Sequence, residues 1–244
     1  MKECSKSIGR WLRDSNFTTR YFRGRGIDIG GRPDPLALYC ELFPLVTEIQ
    51  VWDRENGDAQ HMAAAPDAGY DFVFSSHCLE HIADPGEALR NWFRILKPGG
   101  HMIVNVPDED LYEQGVFPST YNADHSWTFT IWKPESWSGK SINLLTLLPG
   151  LGPEAEILRI EQLNEGYRFQ LPRYDQSMSP VTSCAIEFVI RRRMPEELER
   201  KGRLPSPRAT PPLVRIHLNQ YRNDKASIIA ANADQRPFQD DREL

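Results

Sequence analysis

Within "SSHCLEHIADP", residues 75–85, His77, Glu80 and His81 spell H-x-x-E-H. One class of zinc peptidase presents two imidazoles and a general base in that order. Such a site needs both histidines on one face of a sustained helix, with a further ligand from elsewhere. Here the motif follows a strand pattern, "YDFVFSS", directly and meets Asp84-Pro85 within a turn or two. The spacing is therefore read as a bend in which Leu79 and Ile82 pack inward and Glu80 and His81 hold a turn. No metal is expected. A second pair, Asp124 and His125 in "NADHSW", has the types for acid–base work. An imidazole accepts a proton near neutral pH, and His77 stands in reserve for the same role. A structural loop pair explains Asp124 and His125 equally well at this stage.

These residues need a frame, and the chain supplies an alternating one. Residues 5–20 read as a helix with Ile8, Trp11 and Leu12 on one side. "GIDI" is a compact buried strand, "GGRPD" a turn, and "PLALYCELF" a helix that Asp34 would cap and Pro35 would open. "TEIQVWD" is a second strand and "RENGDAQ" a loop. "YDFVFSS" is a third run of aromatic and β-branched residues. From Asp84, Ala88, Leu89, Trp92, Phe93 and Leu96 recur at helical spacing, "KPGG" closes the helix, and "HMIVNVP" is the next strand. Strand–helix alternation with short turns predicts a mostly parallel sheet covered by helices on both faces.

Residues 107–150 break the pattern. "PDEDLYEQGVFPSTYNADHSWTFTIWK" is polar, aromatic and too long for an ordinary connection, so it is read as a lid or substrate insertion. "PESWSGKSINLLTLLPG" would add a helix. Trp127, Trp132 and Trp137 are read as core and lid packing, with one of them free to stack on a substrate. "AEILRIEQLNEGYRF" and "SCAIEFVIRRR" are two late strands, expected to form an antiparallel hairpin at one edge. One domain is thus placed at residues 1–193. Residues 194–244, rich in Pro, Arg and Asp, are read as a tail, partly disordered or folded against a partner, through which the chain would self-associate.

Composition narrows the classes. The 244 residues are 40% hydrophobic and 26% charged, as in an ordinary globular protein, and the net charge is −5. An acidic chain has no field to gather phosphates, so no nucleic-acid partner is expected. No apolar run is long enough for a membrane span, and the N-terminus lacks the apolar core of a secretory signal. Cys4, Cys40, Cys78 and Cys184 form no C-x-x-C pair, which points to a reducing cytoplasm.

In a parallel sheet, ligands lie beyond the carboxyl ends of the strands. There Gly30 and Gly31 follow the first strand, Asp53 follows the second, and Asp58 and Ala59 come a few residues later. In order, "GIDIGG", "VWD", "GDAQHM" and "DFVFSSHCLEHIADPGEALRNWFRILKPGGHMIVNVP" resemble the motifs of class I S-adenosylmethionine-dependent methyltransferases of the type 11 kind. The similarity is strong over about residues 24–107. The resemblance implies a Rossmann-like fold with a C-terminal antiparallel β-hairpin, and S-adenosylmethionine as cofactor. It also implies roles: Asp28, Gly30 and Gly31 around the methionine moiety, Asp53 on the ribose, Asp58 and Ala59 on the adenine, and Ser76 and His77 at the methyl end. The chain departs from the family at two places. Arg32 stands where a motif glycine belongs, and only Arg54 to Gly57 separate Asp53 from Asp58, so the third strand and the helix before it are expected to be missing or vestigial. The 107–130 segment resembles methyltransferases of bacterial surface-glycan synthesis, which makes a sugar hydroxyl the leading acceptor, with His125 as its base. A quinone or other small metabolite is the alternative acceptor, and a non-catalytic cofactor-binding subunit is the alternative of another class.

Overall fold

The computed structural model describes residues 3–14 and 16–203. Most of the predicted tail therefore lies outside the described residues, and with it the expected self-association. Two short helices, α1 (Glu3–Trp11) and α2 (Phe17–Tyr21), precede the strands β1 (Gly24–Ile29), β2 (Val46–Trp52) and β3 (Tyr70–Ser76). Helix α3 (Pro85–Arg94) and strand β4 (Leu96–Pro107) follow, then the small strands β5 (Thr128–Thr130) and β6 (Ser141–Asn143) and one turn of helix, α4 (Leu144–Leu147). Strands β7 (Ala155–Leu163) and β8 (Ala185–Arg192) and helix α5 (Pro195–Glu199) complete the order.

The main sheet runs β2-β1-β3-β4-β8-β7. Its first four strands are parallel, and β8 is antiparallel to both β4 and β7. This is the mostly parallel, Rossmann-like sheet with an antiparallel C-terminal pair that the sequence predicted. Side-chain alternation along the strands feeds two apolar layers. Val73, Met102, Val104 and Phe188 enter the layer with Leu89 and Trp92 of α3, whereas Phe72, Phe74, Ile103 and Val189 enter the layer with Trp11, Phe17 and Phe22. Among the described residues, no strand or helix but a single 3-10 turn, Arg54–Asn56, intervenes between β2 and β3. The sheet accordingly ends at β2, as the short Asp53–Asp58 spacing predicted.

Where that strand is missing, α3 anchors the loop instead. Its start is as predicted: Pro85 opens the helix and Asp84 Oδ1 accepts the Glu87 N–H at 2.9 Å. The fully buried Trp92 donates from Nε1 to the Ala59 carbonyl at 2.8 Å, and Asn91 Nδ2 donates to the Gln60 carbonyl at 3.0 Å. The loop that carries Asp58 and Ala59 is thus fixed by α3, whose Trp92 lies 33 residues beyond Ala59.

Other expectations need correction. The predicted first helix is two: Asp14 Oδ1 accepts the Asn16 N–H at 3.1 Å in a local turn that ends α1, and Leu12 is exposed. Residues Leu36–Leu42 form a 3-10 stretch kinked at Tyr39, not a full helix. Asp34 does not cap it, because its carboxylate is turned to α1, accepting from Ser5 N and Ser5 Oγ at 2.9 Å. Asp28 takes the Leu36 N–H instead, at 2.7 Å. "KPGG" opens β4 rather than merely ending α3, since pairing with β3 already starts at Leu96. The helix expected after residue 133 is mostly strand β6, α4 and a 3-10 turn, Leu148–Leu151, because Ser141–Asn143 finds a partner in β5. Trp132 and Trp137 are exposed, so they are not core.

Candidate functional site

The predicted site residues other than His125 lie at or just beyond the carboxyl ends of β1, β2 and β3, where the fold places ligands, and His125 comes from the segment between β4 and β5. They line two adjoining cavities. The larger, of about 820 Å³, is bordered by Trp52, Asp53, Asp58, Ala59, Cys78 and Ile82. The inner one, of about 250 Å³, is bordered by Asp28, Gly31, Ser76, Glu80, Tyr112 and His125. Gly30, Arg32, His77, His81 and Asn122 border both.

The floor of the inner cavity is built by backbone that admits no side chain. Gly30 has φ +73°, and a Cβ there would stand 2.8 Å from Cys78 Sγ. A Cβ on Gly31 would stand 2.3 Å from Asp28 Oδ2. Asp28 itself is fully buried, and while Oδ2 holds the Leu36 N–H, Oδ1 has no hydrogen-bond partner. Burial drives its carboxyl up to about 7, against the pull of the Leu36 N–H and with help from the charges of Asp34 and Asp53. Ser76 Oγ is likewise buried without a partner.

Along the outer cavity, Asp53 is half-buried and accepts backbone N–H groups of Arg54 at 2.8 Å and Arg32 at 3.2 Å. Arg32, the departure from the family pattern, thus ties its own backbone to the candidate ribose acid and keeps its side chain outside, paired with Glu55 at 2.8 Å. Asp58 is exposed, and the Gln60 N–H and His61 hold its carboxyl below the usual range. Burial pushes the Cys78 thiol up to about 12, with Glu80 and Asp53 adding to the effect, so it is no nucleophile.

The H-x-x-E-H residues sit where the two cavities meet. His77 adopts φ +53°, with its N–H donated to the Asn105 carbonyl at 3.0 Å. Residues Leu79–His81 form one 3-10 turn, as short as the sequence indicated. The surprise is Glu80. It is fully buried, and neither carboxylate oxygen has a hydrogen-bond partner. His77 Nδ1 stands 3.4 Å from Oε1, near enough for an ion pair but not aligned for a hydrogen bond. Burial opposes the charge on both groups. Even so, His77 first, then His81 and His125, hold the Glu80 carboxyl below its ordinary value, and Glu80 and Glu3 raise the His77 imidazole.

The 107–143 segment lies against this turn. Asp108 caps a single π-helical turn, Glu109–Glu113, by accepting from the N–H groups of Asp110 and Leu111. Farther on, the Ser126 N–H donates to the Glu80 carbonyl at 2.8 Å and Trp127 Nε1 to the Ile82 carbonyl at 2.9 Å. This brings in His125, which is buried with Nδ1 2.7 Å from Glu113 Oε1 and Nε2 3.9 Å from Glu80 Oε1. Its ring also packs on Tyr112 and His81. Asp124, the predicted companion, is exposed and contributes only its carbonyl, 3.0 Å from His81 Nδ1. Glu113 orients His125 in its place. Sequence reasoning missed Glu113, which is one of four acids between residues 108 and 113 and carries no distinguishing spacing. It also treated Glu80 as a holder of the turn, although an acid between two inward-packed apolar residues was the available signal.

Known proteins bear on this arrangement. Residues 9–139 match the family model described as a methyltransferase domain. A ubiquinone biosynthesis O-methyltransferase of Marinobacter nauticus is 38% identical over 83 residues, 33% of each chain. The ubiquinone/menaquinone biosynthesis C-methyltransferase UbiE of Vibrio vulnificus is 46% identical over 39 residues, 16% of this chain and 15% of that one. The matches thus span a third or less of these curated relatives. Among solved structures, a SAM-dependent methyltransferase from Archaeoglobus fulgidus aligns with 78% of this chain and 94% of its own, at 15% identity and a TM-score of 0.48.

Proposed function

Because the chain belongs to the methyltransferase-domain family, whose model covers more than half of it, we propose that it methylates a hydroxyl of a small polyhydroxylated acceptor, a sugar or glycan precursor. The cofactor is S-adenosylmethionine, which supplies an electrophilic methyl group on a sulfonium sulfur. The cavities fit it. Bare backbone at Gly30 and Gly31 leaves room where any Cβ would collide, and the partnerless Asp28 Oδ1 and Ser76 Oγ await polar contacts. In this reading Asp28, Gly30 and Gly31 surround the methionine portion, Asp53 takes the ribose hydroxyls, and Asp58 and the Ala59 backbone meet the adenine. Ser76 and His77 flank the reacting end.

The observation that carries the proposal is the junction of the two cavities. His77, His81 and Asn122 border both the larger outer space and the inner chamber, which Glu80, Tyr112 and His125 also line. Carboxylate, amide and phenol groups suit an acceptor rich in hydroxyls. Glu113 accepts from His125 Nδ1–H, which leaves Nε2 facing the chamber as the acceptor of the hydroxyl proton. The remaining contribution of the protein is alignment, holding oxygen in line with the methyl carbon. A second reading, a quinol or other small phenolic acceptor, draws on the names of the two curated relatives.

Labelled cofactor and a panel of sugars, nucleotide sugars, phenols and quinols test this. Label on a sugar hydroxyl supports the proposal, and label on phenols alone moves the assignment to the second reading. Cofactor binding with no transfer to any member would instead favour a partner subunit without activity. With the true acceptor, His125→Ala should lower turnover by roughly 10²–10⁴-fold and leave cofactor affinity nearly unchanged.

A further inference from the structure

We propose that Glu80, His81 and His125 form a binding site for one divalent first-row transition-metal ion of the zinc type, at the head of the inner cavity. The H-x-x-E-H spacing suggested zinc for a reason that does not hold here, since His77 and His81 share no helix face. The structure replaces His77 by His125, from 48 residues downstream. One donor atom from each of Glu80, His81 and His125 lies within 4.8 Å of the others. The Nε2 atoms of His81 and His125 stand 3.8 and 3.9 Å from the same Glu80 oxygen, Oε1.

Hydrogen bonding assigns the lone pairs. His125 Nδ1 faces a Glu113 carboxylate oxygen at 2.7 Å, and His81 Nδ1 faces the Asp124 carbonyl at 3.0 Å. Both partners accept, so both Nδ1 atoms carry the hydrogen, and in its neutral form each ring presents its lone pair at Nε2. Two lone pairs and a carboxylate therefore converge with no hydrogen bond between them. The carboxylate is fully buried and both its oxygens lack hydrogen-bond partners. His77 Nδ1, 3.4 Å from Oε1, offsets part of the cost of that buried charge, and a cation among the three atoms would offset more of it. The outer contacts match too. A metal-binding imidazole characteristically donates its other N–H to a carboxylate or a backbone carbonyl, and here each histidine does one of these.

Donor type selects the ion. Two imidazoles and one carboxylate suit zinc and its neighbours, whereas magnesium and calcium prefer oxygen alone. In a tetrahedral zinc site with bonds of about 2.0–2.1 Å the ligand atoms are about 3.3 Å apart, so each nitrogen would close on Glu80 Oε1 by about 0.5 Å. Three protein ligands leave a position open toward the chamber. The catalytic consequence rests on the proposed function. An acceptor hydroxyl at the open position would release its proton to water more readily. Its oxygen would then bond to the methyl carbon while the carbon–sulfur electron pair withdraws to the sulfonium. In the loaded protein the His125 lone pair would serve as ligand, the same lone pair that accepts the proton when no ion is bound.

The test uses the full chain stripped with a chelator and titrated with zinc chloride against a chromophoric competitor. One equivalent should bind. His125→Ala and Glu80→Gln should each weaken it by at least about 100-fold, and Glu113→Gln, which keeps the side-chain shape, by about 10–100-fold. His61→Ala, on the surface, should leave it unchanged, as should replacing zinc by magnesium leave no titration to see. Circular dichroism checks that each variant is folded, and Glu113→Gln keeps the test decisive if the others are not. Absence of stoichiometric binding, or binding indifferent to all three cluster variants, overturns the proposal. S-adenosylhomocysteine binding is measured on the same samples. A stripped protein that binds the nucleoside and transfers methyl at full rate without zinc refutes only the metal site. Zinc binding without any nucleoside binding would refute the methyltransferase reading and leave the metal site standing.

Discussion

Replacing Asp28 by asparagine keeps the shape and the acceptor for the Leu36 N–H while removing a buried ionisable group. In the folded chain this carboxyl is raised from 3.8 to about 7, chiefly by burial. At 1.36 kcal/mol per pH unit, the difference of about 3.2 disfavours the ionised form by about 4 kcal/mol. The sign follows from proton counts. Between pH 4 and 7 the folded state holds a proton that the unfolded chain has released, so this group's contribution to stability falls as pH rises through that window. Its full value is present only below the unfolded pKa. From pH 5 to pH 8 the wild type should lose about 3 kcal/mol relative to Asp28→Asn, other titrating groups cancelling in the comparison. The new amide must find a partner for its N–H₂, a cost of about 1–3 kcal/mol that does not vary with pH. Urea unfolding of both proteins at pH 5, 6.5 and 8, without cofactor, reads the difference. A stability gap that stays constant across these pH values would mean that Asp28 ionises as it does in water, and the dry-floor argument would fail.

Three further outcomes are expected. Gly31→Ala places a methyl group 2.3 Å from the Asp28 carboxylate, so something must move, and thermal melting should show a loss of about 1–3 kcal/mol. Asp53→Ala should weaken S-adenosylhomocysteine by about 1–3 kcal/mol in calorimetry, the scale of lost charge-assisted hydrogen bonds. Since Asp53 also caps the Arg54–Asn56 turn, an unchanged affinity would show that the ribose contact lies elsewhere. Trp92→Ala should destabilise the fold by about 3–5 kcal/mol, because it empties a fully buried position, and should weaken the nucleoside as well by releasing the Ala59 loop.

The parts of the fold legible in the sequence are those determined by local chemistry. Asp84-Pro85 caps and opens α3 through its own side chain and ring, and the alternation of Phe72, Val73 and Phe74 is enough to specify a strand buried on both faces. The missing strand after β2 was a matter of counting residues. What could not be read depends on distant partners. Asp34 is as good a cap as Asp84 by type, but Ser5 sits 29 residues earlier and claims its carboxylate. The site divides along the same line. Asp28, Gly30, Gly31, Asp53, Asp58, Ala59, Ser76 and His77 lie at or just beyond strand ends, so topology alone gathers them around the cavities. His125 comes from an insertion, and its orientation depends on Glu113, which no periodicity links to it. The pairing of His125 with Glu80 is a tertiary fact of the same kind. The H-x-x-E-H letters were informative, but one of their histidines belongs to a different contact.

The central claim is that one continuous cleft seats the nucleoside beside Asp53, and the reacting sulfur beside the Glu80, His81 and His125 cluster. A crystal structure with S-adenosylhomocysteine bound tests it most directly. The account predicts the homocysteine carboxylate and amine against Gly30, Gly31 and Asp28, the ribose on Asp53, and the sulfur opening toward the chamber that His125 borders. A nucleoside seated in the reverse direction, or a sulfur walled off from His125, would contradict it.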